Sequence, residues 1–200
     1  MLDIDFGTFP FVTSSNTISA GVCTGLGISP KKINEVIGVT KAYCTRVGSG
    51  PFPTELHDDT GEMLRKVGSE FGATTGRPRR CGWSDLVALN FACMINGVTQ
   101  IVMTKADVLD GFEELNVCES YRINGKEQSM VPYQMMKTQI EPIYKSFKGW
   151  QSDITKIKSV ENIPGQMKEY IAHINQFLGV PIKYISNGPG RDQIIQSPGV

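Results

Sequence analysis

The sequence predicts an α/β fold, a mostly parallel sheet with flanking helices. Two observations carry that class. Stretches with apolar residues at helical spacing alternate with short apolar runs of strand length, and polar, glycine-containing loops follow those runs. Length favours one domain, so residues 1–200 read as a single region.

Taken in order, Met1 to Phe11 opens at once on strand-like and turn-like residues and reads like an entry into the middle of a domain. Residues 13–29, rich in Gly, Ser and Thr, read as a long functional loop. Ser29-Pro30 marks a helix start, with a helix to about Gly38, and Val39 to Val47 then reads as extended. Asp59 and Glu62 have capping-box spacing for a short helix ending near Gly68. Ser84 can cap a helix that buries Leu86, Leu89, Ala92 and Cys93 and stops at Asn96-Gly97. Gln100 to Met103 is a short buried strand. Asn124-Gly125 between two short runs is a hairpin signal. Residues 132–163 read as irregular, with Tyr144, Phe147 and Trp150 as aromatic anchors. A helix from Gly165 to Leu178 follows from Met167, Ile171, Ile174 and Phe177, with Gly179 as its C-terminal cap. Val180 to Ile185 is the last strand, ending at Ser186-Asn187-Gly188-Pro189.

Composition excludes several classes. The chain is 40% hydrophobic and 20% charged with zero formal net charge, which argues against a general nucleic-acid binder. No apolar run reaches the length of a membrane span, and no basic-then-apolar leader opens the chain. Cys23, Cys44, Cys81, Cys93 and Cys118 are dispersed without a C-x-x-C pair, so they read as reduced thiols of a cytoplasmic protein, neither a disulfide framework nor a zinc site.

One stretch concentrates the chemistry. Between Phe71 and Trp83 lie Arg77, Arg79 and Arg80, the pair Thr74-Thr75, and Gly72, Gly76 and Gly82. Glycine lets main-chain amides approach a ligand, threonine adds hydroxyls, and arginine offers a planar fork for carboxylate or phosphate. The stretch therefore reads as a loop for a small anion, although arginines also serve helix ends and inter-domain ion pairs. Thr104-Lys105-Ala106-Asp107 after an apolar strand suits guanine: one carboxylate accepts from the ring N–H and the exocyclic amine while the lysine stem covers the base. Four residues alone more often make an ordinary solvated Lys-x-Asp turn after a strand. Thr13-Ser14-Ser15-Asn16-Thr17 could wrap a phosphate or simply solvate a loop. His57 reads as surface and His173 as part of the last helix; neither has a nucleophile beside it in sequence, so no catalytic base is named.

The order of these motifs resembles adenylosuccinate synthetase nearly end to end. The resemblance is carried by Leu2 to Asp5, Phe11 to Asn16, Thr45 to Glu55, Glu70 to Trp83 and Thr104 to Asp110. It implies a P-loop-NTPase-like synthetase fold, incomplete at the amino end. It also implies a GTP-dependent ligase that phosphorylates the 6-oxygen of IMP and then displaces that phosphate with the amine of L-aspartate. Thr13 would contact the IMP phosphate and Val47 the sugar. Ala73, Thr74, Thr75, Gly76 and Arg77 would form the aspartate loop. Arg79 would approach the GTP phosphates, and Lys105, Ala106, Asp107, Ser186, Asn187 and Gly188 would hold guanine. The family's Gly-rich phosphate loop with its catalytic aspartate, its general-acid histidine and its Mg2+ ligands have no counterpart in this sequence. The chain is thus expected to be a carboxy-terminal portion, inactive alone, of a cytoplasmic homodimer. The competing expectations are a non-catalytic guanine-nucleotide or carboxylate-binding module, and a structural or dimerising remnant that binds nothing.

Overall fold

The computed structural model describes residues 1–197. At its centre, β1 (Ile37–Lys41) lies parallel to β5 (Gln100–Thr104), in register from Ile37 opposite Gln100 to Lys41 opposite Thr104. Strand β5 in turn pairs in parallel with β9 (Ile182–Ser186), and β10 (Ile194–Gln196) closes the sheet antiparallel to β9. The order is β1-β5-β9-β10, mostly parallel as the alternation of helices and strands predicts. Helices α3 (Leu86–Asn96) and α4 (Gly165–Leu178) pack on each other, and Met167, Ile171, Ile174 and Leu178 enter the same core as Ile101, Met103, Ile182 and Ile185. Helix α4 spans the residues its periodicity predicts. Gly179, at φ 64°, caps it with its N–H on the Asn175 carbonyl at 2.9 Å.

A second, mixed sheet lies beside the first. Strand β6 (Glu114–Ile123) pairs with the two-residue β4 (Ser84–Asp85), with β7 (Lys126–Gln128) and with β8 (Glu141–Lys148). The β6–β7 turn carries Asn124 at φ 51° and Gly125 at φ 76°, the left-handed pair that the Asn-Gly signal requires. A short antiparallel ribbon, β2 (Cys44–Arg46) with β3 (Arg80–Gly82), completes the strands.

Several expectations are corrected. Ser29-Pro30 does start a helical turn, but only Pro30–Lys32 is helical and β1 takes over by Ile37. Gly38 belongs to β1, paired with Ile101, and a side chain there would meet Val98 at 3.0 Å, where β1 packs closely on the turn before β5. Residues 13–29 hold a helix, α1 (Ala20–Leu26). The extended stretch from Val39 bends at the buried Ala42-Tyr43 before β2. Helix α2 (Asp59–Val67) is capped by Asp58, one residue earlier than the capping-box spacing suggests, through the Gly61 N–H at 3.1 Å. Helix α3 is capped by Asp85, the residue directly before Leu86, and not by Ser84; the Asp85 carboxylate accepts from Ala88 N–H at 3.0 Å and from the Tyr121 hydroxyl at 2.6 Å. Residues 132–163 are not irregular throughout: β8 runs through them, and its Pro142 is tolerated because β8 pairs on one side only. The last predicted strand begins at Ile182 rather than Val180, and a further strand, β10, follows it.

Candidate functional site

The parallel strands end together. With Lys41 opposite Thr104, and Met103 opposite Ile185, the chain leaves the sheet at Lys41, Lys105 and Ser186 along one edge, the carboxyl edge where open α/β sheets bind ligands. Lys105 sits in the left-handed region at φ 56° and starts a tight helical turn, Ala106–Leu109. Ala106 is buried. Asp107 is half-buried; burial pushes its carboxyl above the ordinary range, while its own N–H and nearby Lys105 pull the other way. Among the described residues no other group donates a hydrogen bond to that carboxylate. It is an acceptor held at the sheet edge. Ser186 Oγ donates to the Gly188 carbonyl at 3.1 Å. The Asn187 side chain is turned inward, donating to the carbonyls of Ile154 at 2.5 Å and Ile157 at 3.0 Å, so it fastens a neighbouring segment instead of facing out. Asp110 grips the same segment, accepting from Trp150 Nε1 at 2.6 Å and Ile154 N–H at 3.1 Å.

Glu70 joins this edge to the arginine loop. It is fully buried, and its Oε1 accepts from Lys41 Nζ at 2.8 Å, Tyr43 Oη at 2.6 Å and Lys105 Nζ at 3.0 Å. Its Oε2 accepts from Arg79 Nη1 at 2.7 Å. Burial alone raises a carboxyl, but four donors on the charged form outweigh it and bring Glu70 down to about 2.

The loop itself rises from Glu70. Arg79 N–H donates to the Glu70 carbonyl at 2.9 Å, Phe71 bridges Pro78, and Gly72 N–H donates to the Arg77 carbonyl at 2.9 Å. Inside that closure Gly76 takes φ 62°, and its N–H reaches the Gly72 carbonyl at 2.8 Å. Ala73, Thr74, Thr75, Gly76 and Arg77 are all exposed at its tip. Among the described residues the Arg77 guanidinium forms no ion pair. The tip presents two hydroxyls and one free guanidinium, a donor set suited to a small carboxylate.

Val47 and Thr13 lie on a second, connected patch. Val47 is 74% exposed on the loop after β2. Arg46 donates to the Ser49 carbonyl at 3.1 Å and, through Nη2, to Thr8 Oγ1 at 3.0 Å and the Phe11 carbonyl at 3.2 Å. Arg80, opposite Arg46 in the ribbon, pairs with Glu55 and donates to the Gly50 carbonyl at 2.9 Å. Two arginines thus shape the Val47 loop and tie it to the segment leading to Thr13. Thr13 is exposed, with its Oγ1 on the Leu2 carbonyl at 2.9 Å.

Sequence reasoning gave no site role to Glu70, Lys41, Arg46 or Asp110. Glu70 meets partners 29 residues before it and 35 after it, and no local pattern marks such a residue. His57 is a surface residue, and His173 lies 2.5 Å from Glu119 on the far side of α4. Among the described residues no group of three or more His, Cys, Asp or Glu could hold a metal ion, and no helix is long and apolar enough to cross a membrane.

The chain is similar to known proteins over nearly its whole length. The family model for adenylosuccinate synthetase matches residues 1–195. The adenylosuccinate synthetase of Flavobacterium psychrophilum is 58% identical over 195 residues, and that of Parabacteroides distasonis 56%. Each comparison covers 98% of this chain and 46% of the relative, so the chain spans about half the length of the relatives it matches. The fully ligated adenylosuccinate synthetase of Plasmodium falciparum superposes with a TM-score of 0.93 at 44% identity, over 98% of this chain and 47% of that one. A cyanophage succinoaminodeoxyadenylate synthetase, 17% identical with a TM-score of 0.57, shares the fold. With a family model over nearly its whole length and a superposition this close, the chain belongs to the adenylosuccinate synthetase family.

Proposed function

We propose that this chain supplies the guanine-reading and aspartate-holding part of a GTP-dependent ligase that joins IMP and L-aspartate into adenylosuccinate, on the AMP branch of purine biosynthesis. One observation supports it: Arg79, at the base of the exposed loop, and Lys105, at the start of the sheet-edge turn, both donate to Glu70. Asp107 accepts from the guanine N1–H and exocyclic amine while the Lys105 stem lies over the base; Ala106, Ser186, Asn187 and Gly188 contribute main-chain groups around it. Arg79 faces the GTP phosphates. Thr75 and Arg77, framed by Ala73, Thr74 and Gly76, hold the aspartate carboxylates, and their exposure supports that role. Thr13 meets the IMP phosphate and Val47 the sugar.

Each of these groups binds or orients, and none is assigned to proton transfer. Among the described residues no cluster of carboxylates fits a magnesium site, so no step here runs through the metal. On this account the 200-residue chain alone binds guanine nucleotide without turning over, as a single region acting on small molecules in a homodimer. The free thiols among the described residues support a reducing, cytoplasmic setting.

Calorimetric titration of the chain with GDP, IDP and ADP tests the assignment. IDP lacks the exocyclic amine and forfeits one hydrogen bond to a charged acceptor, so it binds about tenfold more weakly than GDP. Equal affinity for GDP and ADP overturns the assignment.

A further inference from the structure

The cations around Glu70 outnumber it. Lys41, Arg79 and Lys105 bring three positive charges to one carboxylate, with Tyr43 as a neutral fourth donor. Their side chains are 25%, 32% and 35% exposed, whereas Glu70 is sealed beneath them. Charge balance alone does not account for a buried glutamate there, because removing it leaves three half-exposed cations for a phosphate ligand in place of a net two. Geometry does account for it. Arg79 is tied to Glu70 twice, by main chain at 2.9 Å and by side chain at 2.7 Å, at the base of the 72–77 loop. Lys105 is aimed inward from a left-handed backbone position, with its Nζ shared between Glu70 and the Gly68 carbonyl at 2.6 Å.

We propose that Glu70 is a positioning residue for the ligase reaction: it locks the base of the aspartate loop and the guanine-reading turn to one point, so that the two ligands are held at a fixed separation. The proposal rests on the function proposed above. Its two oxygens divide the labour, Oε2 holding the loop through Arg79 and Oε1 holding the turn through Lys105, with Lys41 anchoring both to the end of β1.

Charge and geometry predict opposite outcomes for Glu70→Gln, which keeps the size and removes the charge. Isothermal titration of the 200-residue chain with pyrophosphate and with GDP separates them. If Glu70 positions, GDP affinity falls about tenfold or more while pyrophosphate binding holds or tightens, and the preference for GDP over IDP disappears. Glu70→Asp restores the charge one methylene short; it returns pyrophosphate affinity to the wild-type value and leaves GDP weaker. GDP and pyrophosphate both tightening in Glu70→Gln, or both weakening by the same factor, overturns the proposal. Hydrogen exchange provides a reading independent of nucleotide. In Glu70→Gln the amides of Gly72, Gly76 and Arg79 exchange about tenfold faster relative to those of Ile171 and Ile174 in α4. An unchanged ratio refutes the positioning role. If the wild-type chain takes no GDP, the nucleotide assignment fails and this ratio alone decides about Glu70. If Glu70→Gln does not fold, the same measurements are made on Glu70→Asp, where GDP weakening with faster exchange at those amides supports the proposal and unchanged values for both refute it.

Discussion

Asp107→Asn exchanges one carboxylate oxygen for an amide nitrogen and leaves the side-chain shape intact, so its effect on base choice isolates hydrogen-bond polarity. The carboxylate stands half-buried at the end of β5 and receives a hydrogen bond only from its own N–H among the described residues, which leaves acceptor capacity for two donors of a purine. A hydrogen bond to a charged acceptor contributes about 1.5 kcal/mol at the lower end of the measured range, appropriate to a half-exposed group. With asparagine the N1–H bond survives as a neutral one, and the exocyclic amine meets another amine. The loss therefore lies between one such bond and two, about 1.5–3 kcal/mol, or ten- to a hundredfold in GDP affinity. XDP carries an oxygen where GDP carries the amine. The new amide donates to that oxygen, and XDP gains about as much as GDP loses. Calorimetric titration of wild type and Asp107→Asn with GDP, XDP and IDP reads all three effects at once. A variant that keeps its preference for GDP over XDP would refute the assignment of Asp107 to the base and reduce Lys105–Asp107 to an ordinary turn.

Two further predictions concern stability. Glu70 ionises at about 2 in the folded chain against 4.5 for an ordinary glutamate, so the unfolded chain takes up the proton first. The contribution is fully present above pH 4.5 and is lost as pH falls from there toward 2; it amounts to about 3 kcal/mol at 1.36 kcal/mol per decade. Urea denaturation of wild type and Glu70→Gln from pH 7 down to 3 should show the gap between them closing, and a gap independent of pH would contradict the assignment. Gly149→Ala places a methyl 1.7 Å from the Phe112 carbonyl oxygen, where Gly149 N–H also donates to the Glu113 carbonyl at 2.8 Å. Main chain must move to make room, so the variant loses about 3 kcal/mol or more in chemical denaturation; a change under about 0.5 kcal/mol would show that the β8 end relaxes freely.

How much of this was legible in the sequence depended on how local the cause was. The span of α4 and its Gly179 cap follow from spacing within fourteen residues, and the Asn124-Gly125 turn from two. Helix α3 was legible in extent but not in its cap, because Ser84 and Asp85 are both good caps and the hydroxyl of Tyr121, 36 residues on, is what holds the Asp85 carboxylate in place. Strand β8 escaped because Glu141-Pro142-Ile143-Tyr144-Lys145 mixes charge and proline into a strand that pairs on one side only. Gly38 misled in the opposite sense: it resembled a helix end, and the contact with Val98 that explains it lies sixty residues away. The 72–77 loop stood out by composition, since glycine, threonine and arginine crowd into a few positions. Glu70, which joins that loop to the Lys105 turn, is one acidic residue whose meaning is entirely tertiary.

The closure of the 72–77 loop on itself makes it a detachable part. The Phe71–Pro78 bridge and the Gly72–Arg77 hydrogen bond seal it from below, and the tip residues from Ala73 to Arg77 contribute no side chain to either core. Drift at the tip is therefore uncoupled from folding. Lineages, or a designer, can rewrite those residues to present a different set of donors while the scaffold beneath stays as it is, and the freedom to innovate ends at Pro78, where the structural obligations of Arg79 begin.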